Sequence, residues 1–175
     1  MRVAIIGGGV IGNAHMDVIN NLRTKNNLLP VAVADCWKTR ADAGKEKIKA
    51  EHSLTDYRKL LEMKEIDYAI VAVPEHWHAK MTIDALDAGK AVYCEKPLTH
   101  SIPEAQAVLK KQKETGLPLQ VGVQAMSDDF RTMSTSSRNA TEVSVDFLFI
   151  KTIDPLIHPG MIALVAAQQS IKPVM

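Results

Sequence analysis

Met1-Arg-Val-Ala-Ile-Ile-Gly-Gly-Gly-Val-Ile-Gly12 opens the chain, and its reading decides the fold. Residues 2–6 form a short apolar run rich in β-branched side chains, the signature of a strand buried on both faces. Gly7, Gly9 and Gly12 follow at G-x-G-x-x-G spacing, and residues 14–22 continue with apolar side chains at helical intervals. In a strand–turn–helix setting each glycine has a task. Gly7 permits the tight turn, Gly9 lets the backbone approach a pyrophosphate, and Gly12 lets the helix pack closely on the strand. The unpaired N–H groups at the helix start then face the phosphates.

A glycine turn without a ligand competes with this reading on spacing alone. The next element favours the ligand. Val31-Ala-Val-Ala-Asp35 is a second apolar strand ending in an acid 23 residues beyond Gly12. An acid about 20 residues past the glycines is where a dinucleotide fold holds its ribose hydroxyls. Asp35 would repel a 2′-phosphate and favour NAD. Lys38 and Arg40 follow closely and would attract that phosphate, so NADP stays open.

Outward from this core, strands alternate with helices. Residues 26–30 close the first helix, and residues 39–50 suggest an exposed helix. Residues 53–63 suggest another, capped by Ser53 or Thr55 with Leu60 and Leu61 inward. Residues 66–73 read as a third buried strand, stopped by Pro74. Residues 77–87 read as a helix with Gly89 as its C-cap, and residues 91–94 as a fourth strand. Residues 103–115 read as a helix closed by Gly116, and residues 117–123 as a fifth strand. This alternation implies right-handed crossovers and a doubly wound parallel sheet, an α/β fold of the Rossmann type. There is no internal repeat.

The rhythm ends near Gln124, which sets a dinucleotide-binding domain at residues 1–124 and a tail at 125–175. Residues 126–141 are rich in Ser and Thr and read as a linker or loop. Residues 142–151 alternate like a half-buried strand, and residues 159–170 suggest one short helix. The tail is too small for a core of its own.

Bulk properties narrow the class. At 175 residues with 46% hydrophobic content, the chain suits about one domain. A net charge of +1 gives no reason to expect nucleic acid or an anionic membrane as partner. No apolar run approaches the roughly 20 residues of a membrane span. The N-terminus lacks a signal-peptide pattern, and two cysteines make no disulfide framework, so a cytoplasmic location is expected. Cys36 and Cys94 read as ordinary strand-end residues.

A second stretch carries chemistry. Val73-Pro-Glu-His-Trp-His78 and Cys94-Glu-Lys-Pro97 both sit past the carboxyl ends of parallel strands, where open α/β sheets bind ligands. Lys96 is placed to relay a proton while hydride moves, with Pro97 fixing its turn. The competing reading is an exposed turn lysine paired with Glu95. His76 and His78 form an H-x-H pair without a third ligand at metal spacing, so no metal is expected. Two histidines in a first helical turn account better for His76, while His78 can line the cofactor cleft. His15, His52 and His100 read as structural or surface groups.

Together, Gly7-Gly-Gly-Val-Ile-Gly12, Val33-Ala-Asp35, Val71-Ala-Val-Pro-Glu-His-Trp-His78, Ala88-Gly-Lys90 and Cys94-Glu-Lys-Pro97 resemble the N-terminal half of the Gfo/Idh/MocA oxidoreductases over residues 1–128. The resemblance implies a nicotinamide dinucleotide and a sugar, cyclitol or related polyol as substrate. It implies Lys96 as the active-site lysine, with Pro74, His78, Glu95 and Pro97 bordering the nicotinamide and Gln124 at a hinge. The candidate dinucleotide contacts are therefore Gly7, Gly9, Val10, Ile11, Gly12 and Asp35 at the first turn. Val73, Pro74, His76, His78, Glu95, Lys96, Pro97 and Gln124 complete the set. Members of that family continue into a substrate domain that supplies a histidine or aspartate to assist the lysine, and neither His158 nor Asp154 fits that motif. Residues beyond about 130 are therefore expected to be a truncated or frame-disrupted remnant. A sheet left uncovered by the missing half favours a homo-oligomer. Two further functions stay open: a dinucleotide-binding module without catalysis, and an NAD-dependent glycosidase working by transient oxidation.

Overall fold

The computed structural model describes residues 1–24 and 26–123, and residues Met1–Gly122 form one compact unit. Six strands, β1 (Arg2–Ile6), β2 (Leu29–Ala34), β3 (His52–Leu54), β4 (Tyr68–Val71), β5 (Ala91–Glu95) and β6 (Leu119–Gly122), build one sheet in the order β3-β2-β1-β4-β5-β6. Every pairing is parallel. Five helices connect them: α1 (Val10–Leu22), α2 (Lys38–Ile48), α3 (Tyr57–Leu61), α4 (His78–Asp87) and α5 (Ile102–Thr115). Residues Glu75–Trp77 add one 3-10 turn ahead of α4.

The strand order explains where a ligand can sit. The chain runs outward from β1 through β2 to β3, returns to β4, and runs outward the other way to β6. Right-handed crossovers in opposite directions put α1 and α2 on one face and α4 and α5 on the other. The connections therefore diverge between β1 and β4 and leave a crevice at their carboxyl ends. Register aligns those ends, because Ile6 pairs with both Ala34 and Val71, and Val71 with Cys94.

The central strands are apolar on both faces because helices cover both. Val3, Ala4, Ile5, Ile6, Val31, Val33, Ile70 and Val92 are all buried. Helix α1 turns Gly12, His15, Met16, Ile19 and Leu22 inward, the i, i+3, i+4 spacing of one helical face. Burying each of its large apolar side chains contributes about 1.5–3 kcal/mol relative to exposure. Helix α5 starts at Ser101, whose hydroxyl accepts from the Glu104 N–H, and ends at Gly116 in the left-handed region (φ +64°). Gly89, at φ +75°, lies one residue beyond the α4 cap rather than at it.

Three boundaries differ from the sequence reading. Residues His52–Leu54 form a sixth strand where a helix start was expected, and the Asp35 N–H donates to the Leu54 carbonyl at the strand's end. Ser53 therefore caps nothing; its hydroxyl donates to Asp42, while Asp56 caps α3 by accepting from the Arg58 N–H. Leu60 and Leu61 do face inward. Helix α1 begins at Val10, directly after the glycines, rather than at residue 14.

Candidate functional site

The turn between β1 and α1 is set by steric necessity. Gly7 has φ +106°, and a Cβ there would stand 2.2 Å from the Ala72 carbonyl oxygen. A Cβ on Gly12 would stand 1.9 Å from the Gly7 carbonyl oxygen, so helix and turn touch backbone to backbone. Gly9 is different. A Cβ there would meet nothing within 4 Å, and Gly9 faces the cleft. The absence of a side chain at Gly9 has no packing cause; it leaves room for a ligand to reach the first N–H groups of α1. Asn13 holds the loop from behind, its amide donating to the carbonyls of Gly8 and Gly9 at 3.0 Å each.

Asp35 stands just past β2, beside this turn. Its carboxylate accepts from the Gly8 N–H at 2.7 Å and from the Trp37 N–H at 2.8 Å. A carboxylate has about four lone-pair positions, so two remain for a ligand hydroxyl. Lys38 turns away to pair with Asp42, and Arg40 lies over the Trp37 ring, 4.2 Å from its centroid.

These groups share one open cleft of about 770 Å³, within the range of small-molecule sites. On the β2–β3 side it is lined by Asp35, Arg40, Tyr57 and Arg58, at the centre by Gly7, Gly9, Val10 and Ile11, and on the β4–β5 side by Val73, Pro74, His78, Glu95 and Lys96. Arg58 is held by a two-pronged pair with Asp56. The Tyr57 hydroxyl donates to Asp84 at 2.6 Å, and burial together with that carboxylate raises its pKa.

At the far side, Lys96 follows the last residue of β5 and precedes Pro97 through a cis peptide bond. Glu95 is only 5% exposed, and His15 of α1, 6% exposed, places Nε2 2.8 Å from its Oε1. The His78 ring is 1% exposed, with Nδ1 2.7 Å from the Pro97 carbonyl oxygen and Nε2 2.8 Å from that of Val73. Cys94, beneath the site, is buried, which pushes its thiol up to about 12; Cys36 is exposed and lines the cleft.

Ten of the candidate residues thus line the cleft: Gly7, Gly9, Val10, Ile11, Asp35, Val73, Pro74, His78, Glu95 and Lys96. Gly12 and Pro97 stand behind the lining, Gly12 through packing and Pro97 through its carbonyl. His76 is not among the lining residues. It is exposed on the 3-10 turn, its ring against Trp77 and outside the lining, because two residues of helical rotation separate it from the inward His78. Gln124 lies outside the described residues. The sequence reading missed Asn13, Tyr57, Arg58 and the role of His15. A polar residue one turn into α1 was the only available signal for Asn13, and none marked the pairing of residues 15 and 95. Among the described residues no three His, Cys, Asp or Glu side chains group as metal ligands, and no helix is long and apolar enough to cross a membrane.

A six-stranded 3-2-1-4-5-6 sheet with a glycine turn at its switch point defines a Rossmann dinucleotide-binding domain. Residues 1–123 match the model of the oxidoreductase family with an NAD-binding Rossmann fold, and the chain belongs to this Gfo/Idh/MocA family. It is 35% identical over 122 residues to 4-carboxy-2-hydroxymuconate-6-semialdehyde dehydrogenase of a Sphingobium species, covering 70% of this chain and 38% of that protein. It is also 35% identical over 122 residues to the NAD(+)-dependent scyllo-inositol 2-dehydrogenase of Bacillus subtilis, covering 70% and 35%. Among solved structures, myo-inositol 2-dehydrogenase from Lactobacillus plantarum superposes with a TM-score of 0.70 at 28% identity, covering 78% of this chain and 40% of that one. The chain spans well under half the length of these relatives.

Proposed function

We propose that the cleft binds NAD and serves hydride transfer to or from a CH–OH carbon of a sugar, cyclitol or related polyol. The observation that carries this reading is that Lys96 lines the same cleft as Gly9, on the opposite side of the switch point from Asp35. A dinucleotide laid across it has its ribose hydroxyls on Asp35, its pyrophosphate over Gly9 and the start of α1, and its nicotinamide beside Lys96. When bound, the cofactor takes or gives the hydride. Lys96 Nζ takes the hydroxyl proton as the carbonyl forms, and returns it in the reverse direction. Val73, Pro74 and the buried His78 wall that end of the cleft. Asp35 favours NAD by repelling a 2′-phosphate, and the engagement of Lys38 with Asp42 leaves Arg40 and the Asp56-paired Arg58 as the cations lining that side of the cleft. The names of the inositol dehydrogenases among its relatives support the substrate class.

The second reading is a dinucleotide-binding module without turnover of its own. Its support is that the family model matched over residues 1–123 is that of the NAD-binding Rossmann fold, and every residue lining the cleft lies within it. Titrating the purified 175-residue chain with NADH, then following the NADH absorbance band with inositols and sugars, separates the two. Saturable binding plus turnover that Lys96→Met abolishes supports the dehydrogenase. Saturable binding without turnover supports the module, and sugar release without net NADH would indicate a glycosidase. A folded chain that binds no dinucleotide overturns all three.

A further inference from the structure

Lys96 sits between two residues that are each held by a buried histidine from a different wall of the cleft. On the α1 side, His15 Nε2 is 2.8 Å from Glu95 Oε1, and a carboxylate only accepts, so this nitrogen carries the donated proton. The Tyr93 hydroxyl donates to the same oxygen at 3.3 Å, while the other oxygen accepts from the backbone N–H of Lys96 itself at 3.3 Å. Gly122 of β6 makes room for this group: a Cβ there would stand 2.3 Å from the Tyr93 hydroxyl and 3.1 Å from Glu95 Oε1. On the α4 side, His78 contacts the Pro97 carbonyl through Nδ1 and the Val73 carbonyl through Nε2. Both of those partners are backbone carbonyl acceptors.

We propose that His15 and His78 are positioning residues that fix the Lys96 turn from both sides, His15 through the Glu95 carboxylate and His78 through the Pro97 carbonyl. Neither touches the lysine amine. His15 belongs to α1, whose first N–H groups face the pyrophosphate seat, so the dinucleotide-binding helix and the Glu95–Lys96–Pro97 turn are tied by one buried charge-assisted hydrogen bond. His78 ties the same turn to Val73, just past β4, which lines the cleft beside Gly7. The seat for the dinucleotide and the proton-relaying amine are therefore held as one unit rather than as two independent loops.

The proposal extends the reading of Lys96 as the proton relay, and its test separates the two. The full chain is labelled with trace acetic anhydride, and the rate at Lys96 is read by peptide mass spectrometry against the exposed Lys59 and Lys110. The variants are His15→Leu, His15→Gln, whose amide nitrogen can replace Nε2, and His78→Leu. The expected result is a change of about tenfold in the Lys96 rate in both Leu variants, the factor that losing one buried hydrogen bond corresponds to, with Lys59 and Lys110 unmoved. His15→Gln returns the Lys96 rate towards wild type. Leu variants that lower the melting temperature yet leave the Lys96 rate unchanged overturn the proposal, as does a His15→Gln variant that behaves like His15→Leu. Should the Leu variants not fold, the Gln variant and a Glu95→Gln variant decide it by the same ratio. Protection of Lys96 by NADH in the wild type tests the relay reading separately: no protection removes that reading, while the variant ratios still decide the histidine claim.

Discussion

Gly9 and Gly12 are three residues apart in one turn, and the structure assigns them opposite reasons for lacking a side chain. In Gly12→Ala the new methyl would stand 1.9 Å from the Gly7 carbonyl oxygen, about 1 Å inside the closest approach Cβ atoms show, and the obstacle is backbone that cannot rotate away. The cost lies near the top of the overpacking range, about 3 kcal/mol. For a chain of this size that lowers Tm by about 10 °C. In Gly9→Ala the methyl meets no protein atom, and φ of −75° suits alanine. A small N-cap loss is offset by a less flexible unfolded chain, so stability should stay within about 0.5 kcal/mol of wild type. In the proposed binding mode the methyl occupies the path by which a pyrophosphate reaches the α1 N–H groups. Losing one charge-assisted hydrogen bond of about 1.5–3 kcal/mol weakens NADH by roughly 10- to 100-fold. Circular-dichroism melting and NADH titration, monitored through the exposed Trp37 near the cleft, read both quantities on the same samples. Wild-type NADH affinity in Gly9→Ala would refute the assignment of its open side to the pyrophosphate. An unchanged Tm in Gly12→Ala would refute the packing argument.

Other outcomes follow from the same geometry. A maleimide at pH 8 should modify the exposed Cys36 and spare the buried Cys94, whose thiol stands at about 12; NADH should slow the reaction at Cys36, which lines the cleft. Peptide mapping with and without NADH checks both. Asp35→Asn should lower the NADH-over-NADPH preference about tenfold and cost about 1 kcal/mol, because one of the Gly8 and Trp37 N–H groups loses an acceptor. Paired titrations and urea unfolding measure these. Lys90 is buried with its amine donating to the Met63 carbonyl, and burial depresses its pKa. Between that lowered value and the ordinary lysine value the unfolded chain binds more protons, so its contribution to stability rises with pH. The stability of wild type relative to Lys90→Met, from urea unfolding, should therefore increase from pH 7 to pH 10.

Much of this fold is legible in the sequence because its signals are local. Residues 1–12 state strand, turn and helix in one run, and Asp35 ends the next apolar strand at the spacing the turn requires. Strand β3 is illegible for the converse reason: His52-Ser-Leu54 is too short for a period of two, and its place at the sheet edge is decided by pairing with Ala32–Ala34. At the site, glycine spacing and the Glu95–Lys96 pair mark residues that line one cleft. The sequence reading places His78 better than His76 to line a cleft, and the 3-10 turn ahead of α4 turns His76 outward and leaves His78 buried. The His15–Glu95 pair joins residues 80 apart, and nothing near either residue announces the other. Tyr57 and Arg58 reach the cleft only because β3 returns the chain to its rim.

A crystal structure of the chain grown with NADH tests the central claim most directly. The account predicts the pyrophosphate over Gly9 and the start of α1, the adenosine ribose on Asp35, and the nicotinamide beside Lys96. A dinucleotide bound in the reverse sense, or outside the cleft between β1 and β4, would contradict it.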